Sequence, residues 1–70
     1  MSVTREYVVS GMHCQHCVGS VTEEVAAVSG VTGIKVDLDS GQLVVLSDVE
    51  IPFENIEAAV DEAGYSVATA

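Results

Sequence analysis

Two thiols and two imidazoles fall within seven residues, in the stretch GMHCQHC at residues 11–17. Cys14 and Cys17 are three positions apart, and His13 and His16 each precede one of them. A cysteine is a metal ligand or nucleophile only as thiolate, and a helix N-terminus favours that anion through its free N–H groups and macrodipole. Three chemistries suit such a segment. Soft ions such as Cu(I) prefer all-sulfur ligation, and two thiolates at this spacing can converge on one ion. Zinc takes four ligands in a tetrahedron, usually from two separated pairs, whereas this chain has one pair; four ligands from Cys14, Cys17, His13 and His16 would strain one short loop. The same CxxC spacing at a strand-to-helix junction serves dithiol redox catalysis, although here no proline or tryptophan flanks the cysteines and the chain is short for that fold.

The flanking pattern sets where those side chains stand. Tyr7 and Val9 alternate with Glu6, Val8 and Ser10 in a β-prone run that ends at Gly11, so a strand delivers the chain into the Cys loop. Val18, Val21, Val25 and Val28 then recur at helical steps, with Gly30 as the expected stop; Cys17 falls in the first turn and Cys14 just before it. Ile34, Val36 and Leu38 alternate with Lys35, Asp37 and Asp39, and after Ser40-Gly41 a second run covers residues 43–46, predicting a hairpin. Pro52 suits a first helical turn, and Phe53, Ile56, Val60 and Ala63 line one face of a second helix up to Gly64. A last strand is expected over residues 65–68. The order βαββαβ, with one apolar face per helix, predicts an α+β, ferredoxin-like sandwich: a four-stranded antiparallel sheet with both helices on one face. Right-handed crossovers then place strands one and three centrally and bring Tyr65 beside the thiols. Val8, Val44 and Leu46 point to the uncovered face, where an apolar patch is expected.

Seventy residues make one small domain, close to the size at which a single core only just outweighs chain entropy. Hydrophobic residues at 49%, with three aromatics and no Trp, imply a core of Val, Ile, Leu and Ala. Eleven acids against Arg5 and Lys35 give a formal charge of -9, which repels phosphate backbones and anionic lipid and excludes nucleic acid as a partner. Two cysteines so close together would close a tiny loop and restrain little unfolded chain, so reduced, working thiols are expected rather than a structural disulfide. No apolar run approaches the roughly 20 residues of a bilayer span, and no signal-like segment opens the chain, so a cytoplasmic protein without membrane insertion is expected.

The sequence resembles the heavy-metal-associated domain family, most closely its bacterial copper chaperones, in GMHCQHCVGSV, in GVTGIKVDLDSGQL and in the closing EAGY. The resemblance runs over residues 7–67. It implies one heavy-metal-associated domain over residues 1–70, with Cu(I) held by Cys14 and Cys17. The cargo passes to the amino-terminal domains of a copper-transporting P-type ATPase or to a copper-responsive repressor, by a carrier and not an enzyme. Transfer in that picture is ligand exchange: a partner thiolate attacks the ion, a three-coordinate sulfur intermediate forms, and the donor thiolates leave in turn. Cys14, in the loop, engages the partner and Cys17 anchors the ion. A starting Met and the lack of a linker point to a free-standing chaperone rather than an excised ATPase domain.

Each neighbour of the thiols has a structural reading beside a functional one. Met12 is expected to fill the core rather than to ligate. His16 either tunes the Cys17 thiolate or is solvated, and the sequence leaves both open. His13 is expected as an exposed loop residue, with an auxiliary role only in a copper-bridged homodimer. Gly64-Tyr65 resembles the bacterial form of the family, which implies a phenolic ring shielding the metal from water. Asp37, Asp39, Glu54, Glu57, Asp61 and Glu62 fall on solvent faces and carry no catalysis. Arg5 and Lys35 cannot build a basic docking patch, so docking is expected to be apolar, or complementary to negative charge; residues 11–19 contain no acid, which favours the apolar form.

Overall fold

Valine and aromatic alternation makes the strands and apolar stripes make the helices. In the computed structural model, which describes residues 2–69, the chain runs β1 (Val3–Ser10), α1 (Gln15–Ala26), β2 (Val31–Val36), β3 (Gln42–Ser47), α2 (Phe53–Glu62) and β4 (Ser66–Thr69). The sheet order is β2-β3-β1-β4 with every neighbouring pair antiparallel. β1 and β3 are therefore central, as a split βαβ plan requires.

Tyr7 and Val9 of β1 and Leu43 and Val45 of β3 turn inward against Val21 and Val25 of α1 and Ile56, Ala59 and Val60 of α2. Five of the side chains, Val21, Val25, Leu43, Ile56 and Val60, are fully shielded from solvent. Each such burial contributes about 1.5–3 kcal/mol, which is how a small core without crosslinks holds. Tyr7 adds a tilted stack on Phe53, with ring centroids 5.9 Å apart.

The predicted ends move at several places. Helix α1 stops at Ala26, not at Gly30: Ala27 donates its N–H to the Glu24 carbonyl at 3.3 Å and Val28 donates to that of Val25 at 3.0 Å, and Val28 leaves the helix while still packing on the core. Gly30, with φ 94, serves the turn into β2 instead, where its carbonyl accepts from Asp48 N–H at 3.0 Å. Leu38 lies outside β2, because Asp37 Oδ1 accepts the N–H of Asp39 and the Asp37 carbonyl accepts that of Gly41, closing the turn early. Pro52 is the N-cap of α2 rather than its first turn, and β4 begins at Ser66 rather than Tyr65.

Val8, Val44 and Leu46 lie on the uncovered sheet face, with mostly polar neighbours across the strands. Val44 pairs with Glu6 on one side and Lys35 on the other, Leu46 with Thr4 and Gly33, and Val8 with Gln42 and Ala68. Gln42 also donates to Glu6 across this face. The uncovered face thus exposes Val8 and Leu46, with Val44 half-buried beside Leu46, a small apolar area bordered by polar side chains.

Candidate metal centre

Three connections meet at one end of the sheet. The β1–α1 loop follows Ser10; Ser10 registers with Ser66, which brings the α2–β4 turn alongside; and Val9 N–H donates to Gly41 at 2.7 Å, which brings the β2–β3 turn. Gly11 takes φ 98, a left-handed conformation that turns the chain out of the strand. Met12 then dips back and is only 9% exposed, so it tethers the loop to the core, as its sequence position suggested.

Cys14 is the N-cap of α1, in extended backbone, and its carbonyl accepts from the N–H groups of Cys17 at 3.0 Å and Val18 at 3.3 Å. Its side chain makes no capping bond. The thiol is therefore exposed and not engaged in holding the helix start. Cys17, in the first turn, is half-buried against the core, and its Sγ lies 3.2 Å from that of Cys14. No acidic side chain occupies the first turn to compete for the positive helix end.

The Cys17 thiol is lowered from 9.0 to about 6. Its first cause is the hydroxyl of Tyr65, which donates toward the sulfur, followed by the backbone N–H of His13, the Cys14 thiol and the Cys14 N–H. The loop just ahead of the helix and a side chain from the far end of the chain thus join the helix terminus that the sequence pointed to, and His16, the neighbour it left open as a tuning group, is not among these donors. In return, the thiolate raises the Tyr65 phenol.

How Tyr65 arrives there follows from the end of α2. Gly64, at φ 93, donates to Asp61 at 2.9 Å, and Tyr65 donates to Val60 at 3.1 Å. These two bonds form a Schellman cap with glycine in the left-handed position, so EAGY is a helix stop that aims the next side chain at the loop. The ring rests over Gly11: a Cβ there would come within 3.2 Å of Tyr65 Cδ1. Sequence reasoning missed that seat for the ring and the His13 and Cys14 amides. Two glycines in the right places, Gly11 before the cysteines and Gly64 before the tyrosine, were the signal for it.

The structure thus gathers Cys14, Cys17 and Tyr65, and buries Met12 in the core. His13 and His16 are exposed on the loop and first turn. Among the described residues no group of three or more His, Cys, Asp or Glu side chains converges as a metal cage. Acids absent from residues 11–19 in sequence come near in space: Asp61 lines a groove with Tyr65, and Asp37 and Asp39 occupy the β2–β3 turn at the same end.

The profile of the heavy-metal-associated domain matches residues 6–66. The chain belongs to the heavy-metal-associated domain family. Copper chaperone CopZ of Staphylococcus epidermidis is 38% identical over 60 residues, which span 84% of this chain and 88% of that protein. Copper chaperone CopZ of Bacillus subtilis is 38% identical over 61 residues, 86% of this chain and 88% of its own. Among solved structures, a copper binding domain from HMA7, a P-type ATPase, superposes with a TM-score of 0.86 at 27% identity, covering 100% of this chain and 95% of that one. The ferredoxin-like architecture described above is that of the family.

Proposed function

We propose that this protein is a cytoplasmic copper chaperone, a single heavy-metal-associated domain that holds Cu(I) between the thiolates of Cys14 and Cys17. The observation that carries this reading is two converging sulfurs, one of them a thiolate at neutral pH, with no third donor side chain gathered on them among the described residues. Two soft donors suit Cu(I), whereas a closed zinc site asks for four. The similarity to copper chaperones supports copper as cargo, and the similarity to a P-type ATPase domain supports such a domain, or a copper-responsive repressor, as receiver. Among the described residues no helix is long and apolar enough to cross a membrane.

Loading requires a small movement. Two opposed metal–thiolate bonds of roughly 2.3 Å span about 4.6 Å, whereas the sulfurs stand 3.2 Å apart. The Cys14 side chain is the one free to move, being exposed and making no capping bond of its own. The partner's thiolate then meets Cys14 first, and Cys17, held by Tyr65 and the loop amides, releases the ion last. The close sulfurs also favour disulfide formation, so a dithiol redox role is the competing reading, and a zinc or other soft-metal buffer a further one.

Anaerobic titration of reduced protein with Cu(I) against a competing chelator, beside a zinc titration and a measured dithiol reduction potential, separates the three. Tight Cu(I) binding is expected, lost by orders of magnitude in Cys14→Ser and in Cys17→Ser and barely changed in Met12→Leu. A single cysteine variant that keeps full affinity as a monomer refutes the bis-thiolate site.

A further inference from the structure

The two edges of the sheet are built differently. β2 is guarded: its register slips between Val31 and Gly33, and Lys35 is exposed along it, both devices that keep a strand edge from pairing with another chain. β4 has neither. Its residues Ser66, Val67, Ala68 and Thr69 carry no charge, proline or bulge, and they pair with β1 alone.

The direction of its free backbone groups follows from β1. Val9 donates its N–H to Gly41 on the β3 side, so Val9 and its partner Val67 form a non-hydrogen-bonded pair. Val67 and, by alternation, Thr69 therefore turn their N–H and C=O groups outward. Above that edge runs a groove of about 370 Å³ between α2 and β4. Glu54, Glu57 and Asp61 form its helical wall, Ala58 leaves room between them, and Tyr65 closes the end nearest the thiols. The single ion pair among the described residues joins Arg5 to Glu50, away from this wall, so the three carboxylates meet no described cation.

We infer that the α2–β4 groove is a docking site for an extended, basic polypeptide segment of a protein partner, which adds to the open edge of β4 and sets its Lys or Arg side chains against Glu54, Glu57 and Asp61. Strand addition draws affinity from main-chain bonds and selectivity from the wall beside them. With two outward residues the pairing is short, which gives a contact that releases readily. The groove ends at Tyr65, so a segment seated there holds its own domain beside Cys14 and Cys17. This last consequence rests on the carrier reading; the docking itself does not.

The test uses reduced, ¹⁵N-labelled full-length protein and a synthetic peptide of alternating lysine and valine. At a peptide concentration about ten times its Kd, exchange of the Val67 and Thr69 amides with solvent should slow roughly tenfold, with shift changes along Glu54, Glu57 and Asp61. The Glu57→Gln/Asp61→Asn double variant should lose the protection, as should a peptide N-methylated on alternate amides, and an alternating glutamate–valine peptide should show none. Shift changes spread over the whole acidic surface without slowed exchange at Val67 would overturn the inference in favour of diffuse attraction, as would protection appearing at β2 instead. Cu(I) affinity of the double variant, measured against a chelator, should equal that of the wild type. Failure of the wild type to bind copper would remove the carrier reading while leaving the peptide result to stand or fall alone.

Discussion

At Cys17 the thiolate is favoured by donors of different kinds, and Tyr65 comes first among them. Removing only the hydroxyl, in Tyr65→Phe, keeps the ring on Gly11 and should raise the Cys17 pKa from about 6 toward 9.0, read as thiolate absorbance in the apo protein. An unchanged midpoint would show that the loop amides suffice. The same shift has a consequence for stability. A thiol depressed in the folded state contributes stability that is fully present above its unfolded pKa near 9.0 and is lost as pH falls through about 6. Between those limits the denaturation midpoint of the apo protein should climb with pH, and Cys17→Ser should flatten the climb. Equal slopes in the two proteins would mean that other groups cause it. Met12, by contrast, is read correctly from its neighbours alone, since an apolar residue between a strand end and a helix start has a core to fill. The pairing of Tyr65 with Cys17 could be expected only once the element order was assembled, because the two lie far apart in sequence and only the crossover brings them together.

Two glycines of opposite meaning show how elements, rather than composition, decide what a residue does. Gly41 has φ 76, and a Cβ there would stand 2.5 Å from the Val9 carbonyl oxygen, in the turn pinned to β1 just before the metal loop. Gly19 lies inside α1 with nothing within 4 Å of its would-be Cβ. Gly41→Ala should therefore destabilise by about 1–3 kcal/mol through backbone strain, and Gly19→Ala should stabilise by about 0.5–1 kcal/mol because alanine loses less chain entropy in a helix. Urea denaturation of both variants checks the pair, and a destabilised Gly19→Ala would mean that the helix face it lies on is tighter than the structure shows. Element existence and order were legible from period alone, since valine at three- and four-residue steps cannot lie on one face of a strand. Element ends were not. Gly30 looked like a helix stop because nothing in the sequence distinguishes a glycine that caps a helix from one that serves the next turn, whereas Gly64 did cap its helix and so placed Tyr65. Leu38 looked like strand because its alternation is perfect; the side-chain bond from Asp37 to the Asp39 amide, a local turn preference, ended the strand first.

Over the whole molecule, a thiol pair at one tip, with Cys14 exposed and Cys17 half-buried, leaves two copies free to share metal. Above one equivalent of Cu(I), bridging sulfurs should join two molecules, with His13 on the exposed loop as an additional donor. Sedimentation that stays monomeric at two equivalents would contradict this, and loss of the dimer in His13→Ala would make that residue a ligand. Such a dimer must form against the charge of the chain, which is -9 with one ion pair among the described residues.

That charge also acts on the single molecule. The described residues extend 33 × 20 × 18 Å, and at about 0.01 M salt the Debye length is roughly 30 Å, so nearly every carboxylate repels every other. At about 0.15 M the length falls to roughly 8 Å, and only neighbours interact. Unfolding lets like charges move apart, so low salt should favour the unfolded chain and screening should favour the folded one. The urea midpoint of the reduced apo protein should therefore rise as sodium chloride increases over this range, most steeply at its lower end. Replacing Glu57 and Asp61 by their amides should raise the low-salt midpoint and shrink the salt response together, because it removes two of the repelling groups without touching the core. Were the midpoint flat in salt, or were the double variant no more stable at low salt, the acids of α2 would be paired or too well hydrated to repel, and the carboxylates of the α2–β4 groove would lose their claim to be waiting for a cation.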